Sequence, residues 1–262
     1  MPTIDVNSLS KTYRSRHGAT AALSDVNLTI RPNEFVTLVG PSGCGKSTLL
    51  KIIGALLRPT SGSLTYDGVP ISRPRRDVGF VFQEPALLPW RSVMDNILLP
   101  AEILGLDMNA ARHYAHDLIE LTGLTGFEKH DPHELSGGMQ QRTAICRALI
   151  TRPSILLMDE PFAALDAMTR EDLAFELLRI WDQDKKTVIF VTHSISEAIL
   201  LADRVVAMSA RPGKIAKIIN VELPRPRTLK HEFSDKFKSY SDQVRSVIFH
   251  APKPDMPWSA AS

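Results

Sequence analysis

Cysteine is nearly missing from this chain. Among 262 residues only Cys44 and Cys146 occur, far apart and in no Cys-x-x-Cys pairing. That argues against a disulfide framework or a cysteine-built zinc site, and a reducing cytoplasm is expected. No apolar run approaches the roughly 18 residues that a membrane-spanning helix needs. The opening MPTIDVNSLSKTY has no apolar stretch behind a basic start, so no secretory signal is expected. A role at a membrane would have to work through a partner. An excess of one charge is missing too. The 31 Lys and Arg against 29 Asp and Glu leave a formal net charge of +2, too little to argue for nucleic acid. Internal repeats and long linkers are likewise absent. What is present is a chain 44% hydrophobic and 23% charged, the composition of a globular protein long enough for one large core or a domain with a smaller lobe.

Short alternating runs occupy 4–9 (IDVNSL), 22–30 (ALSDVNLTI) and 62–68 (GSLTYDG), a pattern suited to antiparallel strands with one polar face. More continuous apolar runs suit buried strands: EFVTLV at 34–39, VGFVF at 78–82, ILLM at 155–158, VIFV at 188–191 and RVVAM at 204–208. Residues 46–57 read as a helix ended by Arg58-Pro59. In 169–181, Leu173, Leu177, Ile180 and Trp181 recur at helical spacing. Strands alternating with helices predict an α/β fold with a parallel sheet covered on both faces. Residues 90–150 show helical patterns without strands and predict a helical lobe inserted between two sheet strands. Beyond 210 prolines cluster in ELPRPR (222–227). Phe233, Phe237, Val244 and Ile248 then fall near one helix face, and APKPDMPWSAAS at 251–262 reads as disordered.

GPSGCGKST at 40–48 fits G-x-x-x-x-G-K-[ST], between a predicted strand and a predicted helix. The nine positions are Gly40, Pro41, Ser42, Gly43, Cys44, Gly45, Lys46, Ser47 and Thr48. Gly43 and Gly45 let backbone N–H groups turn inward around phosphate oxygens. Lys46 reaches the β- and γ-phosphates, Ser47 offers a hydroxyl to Mg²⁺, and Thr48 continues the helix start. Cys44 reads as a small filler. The run ILLMDE ends a buried strand in two carboxylates at the sheet edge where ligands sit in open α/β folds. Asp159 would hold Mg²⁺, through water, and Glu160 would polarise the attacking water. His193 ends VIFVTH at the same edge, as a γ-phosphate contact or a structural histidine. Gln83 follows GFVF and could bond Mg²⁺ or the lytic water, and Tyr13 could stack on adenine or be a half-buried aromatic.

A second anion-binding device stands at 135–142, LSGGMQQR. Ser136, Gly137 and Gly138 form a capped helix start with bare N–H groups, but no lysine and no buried strand precedes them. One ATP needs one P-loop, so this device reads either as an ordinary cap or as the completion of a pocket on a second copy. Two copies arranged head to tail about a twofold axis would each present it to the other's γ-phosphate.

LSGGMQQR resembles the signature motif of ATP-binding cassette ATPases. Tyr13, GPSGCGKST, Gln83, LSGGMQQR, ILLMDE, Ala164-Leu165-Asp166 and His193 follow in that family's order. The resemblance spans about residues 3–225. It implies a P-loop NTPase sheet with an antiparallel β subdomain and an α-helical subdomain at about 90–150, followed by a C-terminal helix and tail at 226–262. It also implies a homodimeric ATP sandwich in which Ser136, Gly137, Gly138 and Gln140 act across the interface. Asp166 would communicate between sites, Glu160 would be the general base, and His193 the switch histidine. Ser194 stands where the family often has aspartate, and Ala163 where serine is common.

Residues 79–97 (GFVFQEPALLPWRSVMDNI) place Leu87, Leu88 and Trp90 in an apolar, proline-rich stretch, which either packs inside the lobe or waits for a covering partner. The family implies that this region receives a coupling helix from a membrane subunit. LLPW, RPGKI (211–215) and ELPRPR are similar to importers of the nitrate, sulfonate and taurine type. The resemblance thus implies ATP and Mg²⁺ as cofactors, two integral permease subunits, a periplasmic or lipid-anchored solute-binding protein, and a place on the cytoplasmic face of a bacterial inner membrane, with no nucleic acid. The competing expectation is a cassette ATPase uncoupled from transport, in iron–sulfur assembly or on nucleic acid or ribosomes.

Overall fold

The protein is described by a computed structural model covering residues 1–16 and 18–249. The segment 251–262, read as disordered, lies outside the described residues. The central sheet has six strands, in spatial order β10-β9-β3-β8-β7-β6. These are β3 (Phe35–Val39), β6 (Val78–Val81), β7 (Ile155–Asp159), β8 (Thr187–Val191), β9 (Arg204–Met208) and β10 (Ile215–Asn220). All neighbours run parallel except β10, which pairs antiparallel with β9. Every residue of β3, β7 and β8 is buried, so these strands read as continuous apolar runs. Alternate side chains feed two cores. Phe35, Leu156 and Met158 enter one, and Val36, Ile155 and Leu157 enter the other, as the two-residue strand period requires.

The second core is closed by a four-stranded antiparallel sheet of order β2-β1-β4-β5: β1 (Ile4–Ser15), β2 (Gly18–Ile30), β4 (Ser61–Tyr66) and β5 (Val69–Pro70). The first two strands run further than the alternation predicts. Their outer halves pair with each other from Thr12↔Ala21 to Ser15↔Gly18, so backbone hydrogen bonds sustain them where apolar side chains do not. The first helix, α1 (Lys46–Ile53), ends four residues before its predicted limit. Gly54 caps it and Ala55 is left-handed, with φ 55°. The N–H groups of Leu56 and Leu57 then fold back onto the Lys51 carbonyl.

Between β6 and β7 come α2 (Val93–Leu104), α3 (Met108–Leu121) and α4 (Gly137–Leu149), with α2 packed on the other two. The chain then places α5 (Ala167–Gln183) between β7 and β8, and α6 (Ile195–Leu201) between β8 and β9. The last helix, α7 (Asp235–Phe249), docks on α6, β9 and β10 through buried Phe237 and Val244. The predicted face is shorter by one residue. Phe233 closes a separate 3-10 turn, Leu229–Phe233, and is 88% exposed. Ser234 interrupts the helical phase there, because it caps α7 by accepting the Phe237 N–H on its hydroxyl.

Candidate functional site

The site is built where β3 and β7 deliver their carboxyl ends. Between β3 and α1 the chain makes a tight loop whose Gly45 has φ 103°, and a Cβ there would sit 2.7 Å from Leu23 and 2.8 Å from the Ala22 carbonyl. Only glycine lets the loop turn beneath β2 while α1 starts at Lys46. No side chain caps α1, so its first N–H groups stay free for an anion. Ser42, Gly43, Gly45, Lys46, Ser47, Thr48, Glu160 and Tyr13 line one cavity of about 240 Å³. Cys44 is buried beneath it, with its sulfur near Gly40, which fits a filler. The Lys46 ammonium donates to the carbonyls of Gly40 (3.0 Å) and Pro41 (3.3 Å) and lies 3.7 Å from Glu160 Oε1. It is thereby held extended across the loop, with its charge at the cavity.

The Ser47 hydroxyl donates to Asp159 Oδ1 at 2.6 Å. Burial pushes the Asp159 carboxyl above its ordinary range, opposed by the Ser47 hydrogen bond. One hydroxyl and one carboxylate within bonding distance suit a hard cation that keeps water and phosphate as its other ligands. Among the described residues no cluster of three or more His, Cys, Asp or Glu could hold a metal. The Ser47–Asp159 pair fits Mg²⁺ held together with the phosphates of a nucleotide. Glu160 has left-handed φ 46°, a strained conformation for a side-chain-bearing residue. It is pinned by its N–H bond to the Val191 carbonyl at the end of β8. The strain aims its carboxylate between Lys46 and His193, whose Nδ1 lies 3.5 Å from Glu160 Oε2. Tyr13 is 43% exposed at the rim, its hydroxyl 3.3 Å from Thr48 Oγ1.

Other candidates lie elsewhere. Gln83 is exposed beyond the end of β6 and does not line the cavity. Ser136 caps α4 by accepting the Met139 N–H. A Cβ on Gly137 would meet open space, whereas one on Gly138 would press on Thr169 of α5 at 2.7 Å. The Gln140 amide turns inward and donates to the Pro132 carbonyl at 2.9 Å. Asp166 caps α5, accepting from Met168 and Thr169. None of these residues lines the cavity of its own chain.

Residues 23–163 match the profile of the ABC transporter family. The chain is also 48% identical over 248 residues to the aliphatic sulfonates import ATP-binding protein SsuB of Bacillus thuringiensis, covering 95% of this chain and 96% of that one. This chain belongs to the ABC transporter family. An ABC transporter ATP-binding protein of Methanocaldococcus jannaschii is 46% identical over 94% of the chain and 91% of its own length. Among solved structures, the dimeric bacterial ABC transporter cassette MJ0796 superposes with a TM-score of 0.76 at 35% identity, covering 84% of this chain and all of that one. The same cassette in a post-hydrolysis state bound to ADP and Pi gives 0.75. The ABC chain described here is thus an ATP-binding and ATP-hydrolysing cassette with the P-loop NTPase fold.

Several residues around the site carry no motif signal. Arg211 lines the nucleotide cavity and donates from Nε to the Gly43 carbonyl at 3.1 Å. Its segment, RPGKI, is visible in the sequence only as a family resemblance. Asn96 is fully buried and binds the backbone of Leu88, Arg91 and Ser92 through four hydrogen bonds. Arg147 donates to the carbonyls of Pro85 and Ala86. Together they hold the loop after Gln83 to α2 and α4.

Proposed function

We propose that this cassette is the ATPase subunit of a bacterial importer for a small sulfonate-like solute. It works as a head-to-tail homodimer under two permease subunits at the cytoplasmic face of the inner membrane, with a periplasmic or lipid-anchored binding protein supplying the solute. The observation that carries the reading is the division of the site. The cavity holding Lys46, Ser47 and Glu160 lacks any residue of LSGG, while a Cβ on Gly137 of that motif would meet open space. A second copy would bring the two together. Similarity to import ATPases over nearly the whole chain supports coupling to a permease rather than an uncoupled cassette.

In this reading Gly43, Gly45 and the α1 N-terminus bind the phosphates, Lys46 neutralises them, and Tyr13 stacks on the base. Ser47 and Asp159, with Gln83, would hold Mg²⁺, which would supply charge neutralisation for the phosphates. Glu160 accepts the proton of the attacking water, and His193 orients the terminal phosphate. Gly137, Gly138, Ser136 and Gln140 complete the partner's pocket, and Asp166 meets the opposite site. The domain division follows: a cassette over 3–225 with a helical lobe at about 90–150, and a C-terminal extension.

The permease would sit on a groove of about 520 Å³ lined by Phe80, Phe82, Leu99, Ile103 and Leu104 and edged by Arg76 and Arg147. Trp90 stands 75% and Ile103 73% exposed, apolar area that a covering partner would bury. Leu87 and Leu88 are half-buried against the lobe. Among the described residues no helix is long and apolar enough to cross a membrane. The test is reconstitution in liposomes with the permease and binding protein encoded beside it. ATP hydrolysis should rise several-fold when the binding protein carries an alkanesulfonate. Equal stimulation by unloaded binding protein, or none by any sulfonate, would overturn the solute assignment.

A further inference from the structure

The loop between β7 and α5 and the turn after β8 are separate in sequence, yet one partly buried ion pair joins them. Arg170, in the first turn of α5, donates from Nη2 to the Leu165 carbonyl at 2.9 Å. Leu165 immediately precedes Asp166, the residue expected to meet the opposite site. The Arg170 Nε lies 3.5 Å from Glu197 Oε1, an ion-pair contact without hydrogen-bond geometry. On the other oxygen, Glu197 accepts the Thr192 hydroxyl. That hydroxyl in turn accepts the Ser194 N–H at 2.9 Å, and Ser194 Oγ accepts the Glu197 N–H at 3.3 Å. Thr192, before His193, is therefore held by the Glu197 carboxylate, which is 11% exposed, and Ser194, after it, by the Thr192 hydroxyl and the Glu197 backbone N–H. Burial raises that carboxyl's pKa, while the Thr192 hydroxyl and the Arg170 charge oppose the shift.

We propose that Arg170 and Glu197 are positioning residues that lock the Leu165–Asp166 loop to the His193 turn, so that the two are set together when the partner completes the pocket. A buried carboxylate is costly unless paired and hydrogen-bonded. Here the guanidinium supplies the charge, and the hydroxyl–amide chain uses the remaining oxygen. In this arrangement both Glu197 oxygens have a partner, and the turn that carries His193, 3.5 Å from Glu160, is anchored. If the loop moved away, Arg170 would leave Glu197 unpaired, and the turn would lose its anchor. Neither side chain lines the nucleotide cavity, so the pair acts through His193 and the loop rather than on ATP.

The inference rests on the dimeric ATPase reading, and the experiment separates the two. Steady-state hydrolysis and equilibrium binding of a fluorescent ATP analogue are measured on the full chain and on Arg170→Ala, Glu197→Ala, the double variant, and Glu197→Gln. Each alanine variant should lose at least tenfold in kcat, with KM and nucleotide affinity within about threefold of the parent. The double variant should be no slower than the slower single one, because the two residues act as a unit. Glu197→Gln, which keeps an acceptor for Thr192, should retain more activity than Glu197→Ala. Losses that multiply in the double variant, losses matched by weaker nucleotide binding, or kcat unchanged in both single variants would overturn the pairing. If Glu197→Ala does not fold, the comparison of Arg170→Ala with Glu197→Gln decides, since both break the ion pair and should lower kcat alike. A parent chain that binds ATP but never hydrolyses it, even with its permease, would instead defeat the broader reading.

Discussion

Glu160 combines three constraints in one side chain: a left-handed backbone, contact with the P-loop lysine, and contact with His193. Backbone strain of this kind costs on the order of 1–3 kcal/mol and persists where the surroundings over-determine it. Here the bond to the Val191 carbonyl does so. Glu160→Gln keeps the shape and removes the proposed base. Hydrolysis should fall at least 100-fold in single-turnover assays, while ATP-dependent dimers become longer-lived and visible by size exclusion. Lys46→Ala removes the charge that bridges Gly40, Pro41 and Glu160, and the nucleotide dissociation constant should rise at least tenfold by fluorescence titration. Ser194 resolves one departure from the family pattern. It caps α6 through the Glu197 N–H, the task an aspartate would perform there. The structure gives no consequence for Ala163.

The segment joining β9 to β10 is tied to β2 by Gly213 N–H to the Ala22 carbonyl and Ser24 N–H to the Gly213 carbonyl. It lies so close to the P-loop that a Cβ on Gly213 would fall 1.9 Å from the Cys44 carbonyl. Gly213→Ala must displace the loop, and we expect weaker ATP binding with little change at the distant α2–α4 helices, read by nucleotide titration together with hydrogen exchange. At the far end of α6, Arg227 is buried and donates to the carbonyls of Ile199, Leu200 and Ala202. It satisfies acceptors that a helix end otherwise leaves open. Its loss in Arg227→Met should destabilise the chain by about 1–3 kcal/mol in urea unfolding. The strands and most helices are legible in the sequence because burial on one or both sides leaves a period. Arg227 and Asn96 are not, since their partners are backbone carbonyls that no side-chain pattern encodes.

On the proposed reading, the isolated chain carries two half-sites and is chemically incomplete without a second copy. Ser136→Arg places bulk and charge at the capped start of α4, outside the nucleotide cavity of its own chain. ATP binding to the monomer should persist within about threefold while ATP-driven dimers disappear, as measured by analytical ultracentrifugation of a Glu160→Gln background. Dimers that form normally would refute the shared pocket. The groove beside Phe82 and Ile103 follows the same logic. It lies along α2 and the loop pinned by Asn96 and Arg147.

The order of residues was enough to settle the P-loop, the Asp159–Glu160 strand end and the alternation that makes a covered parallel sheet, because each depends on contacts within a few positions or on a repeating period. The three-dimensional fold alone decided that Arg211 reaches the P-loop, that Gln140 turns inward to Pro132, and that Arg170 meets Glu197. Those contacts join segments 8 to 168 residues apart, and they arise only after packing brings the segments together.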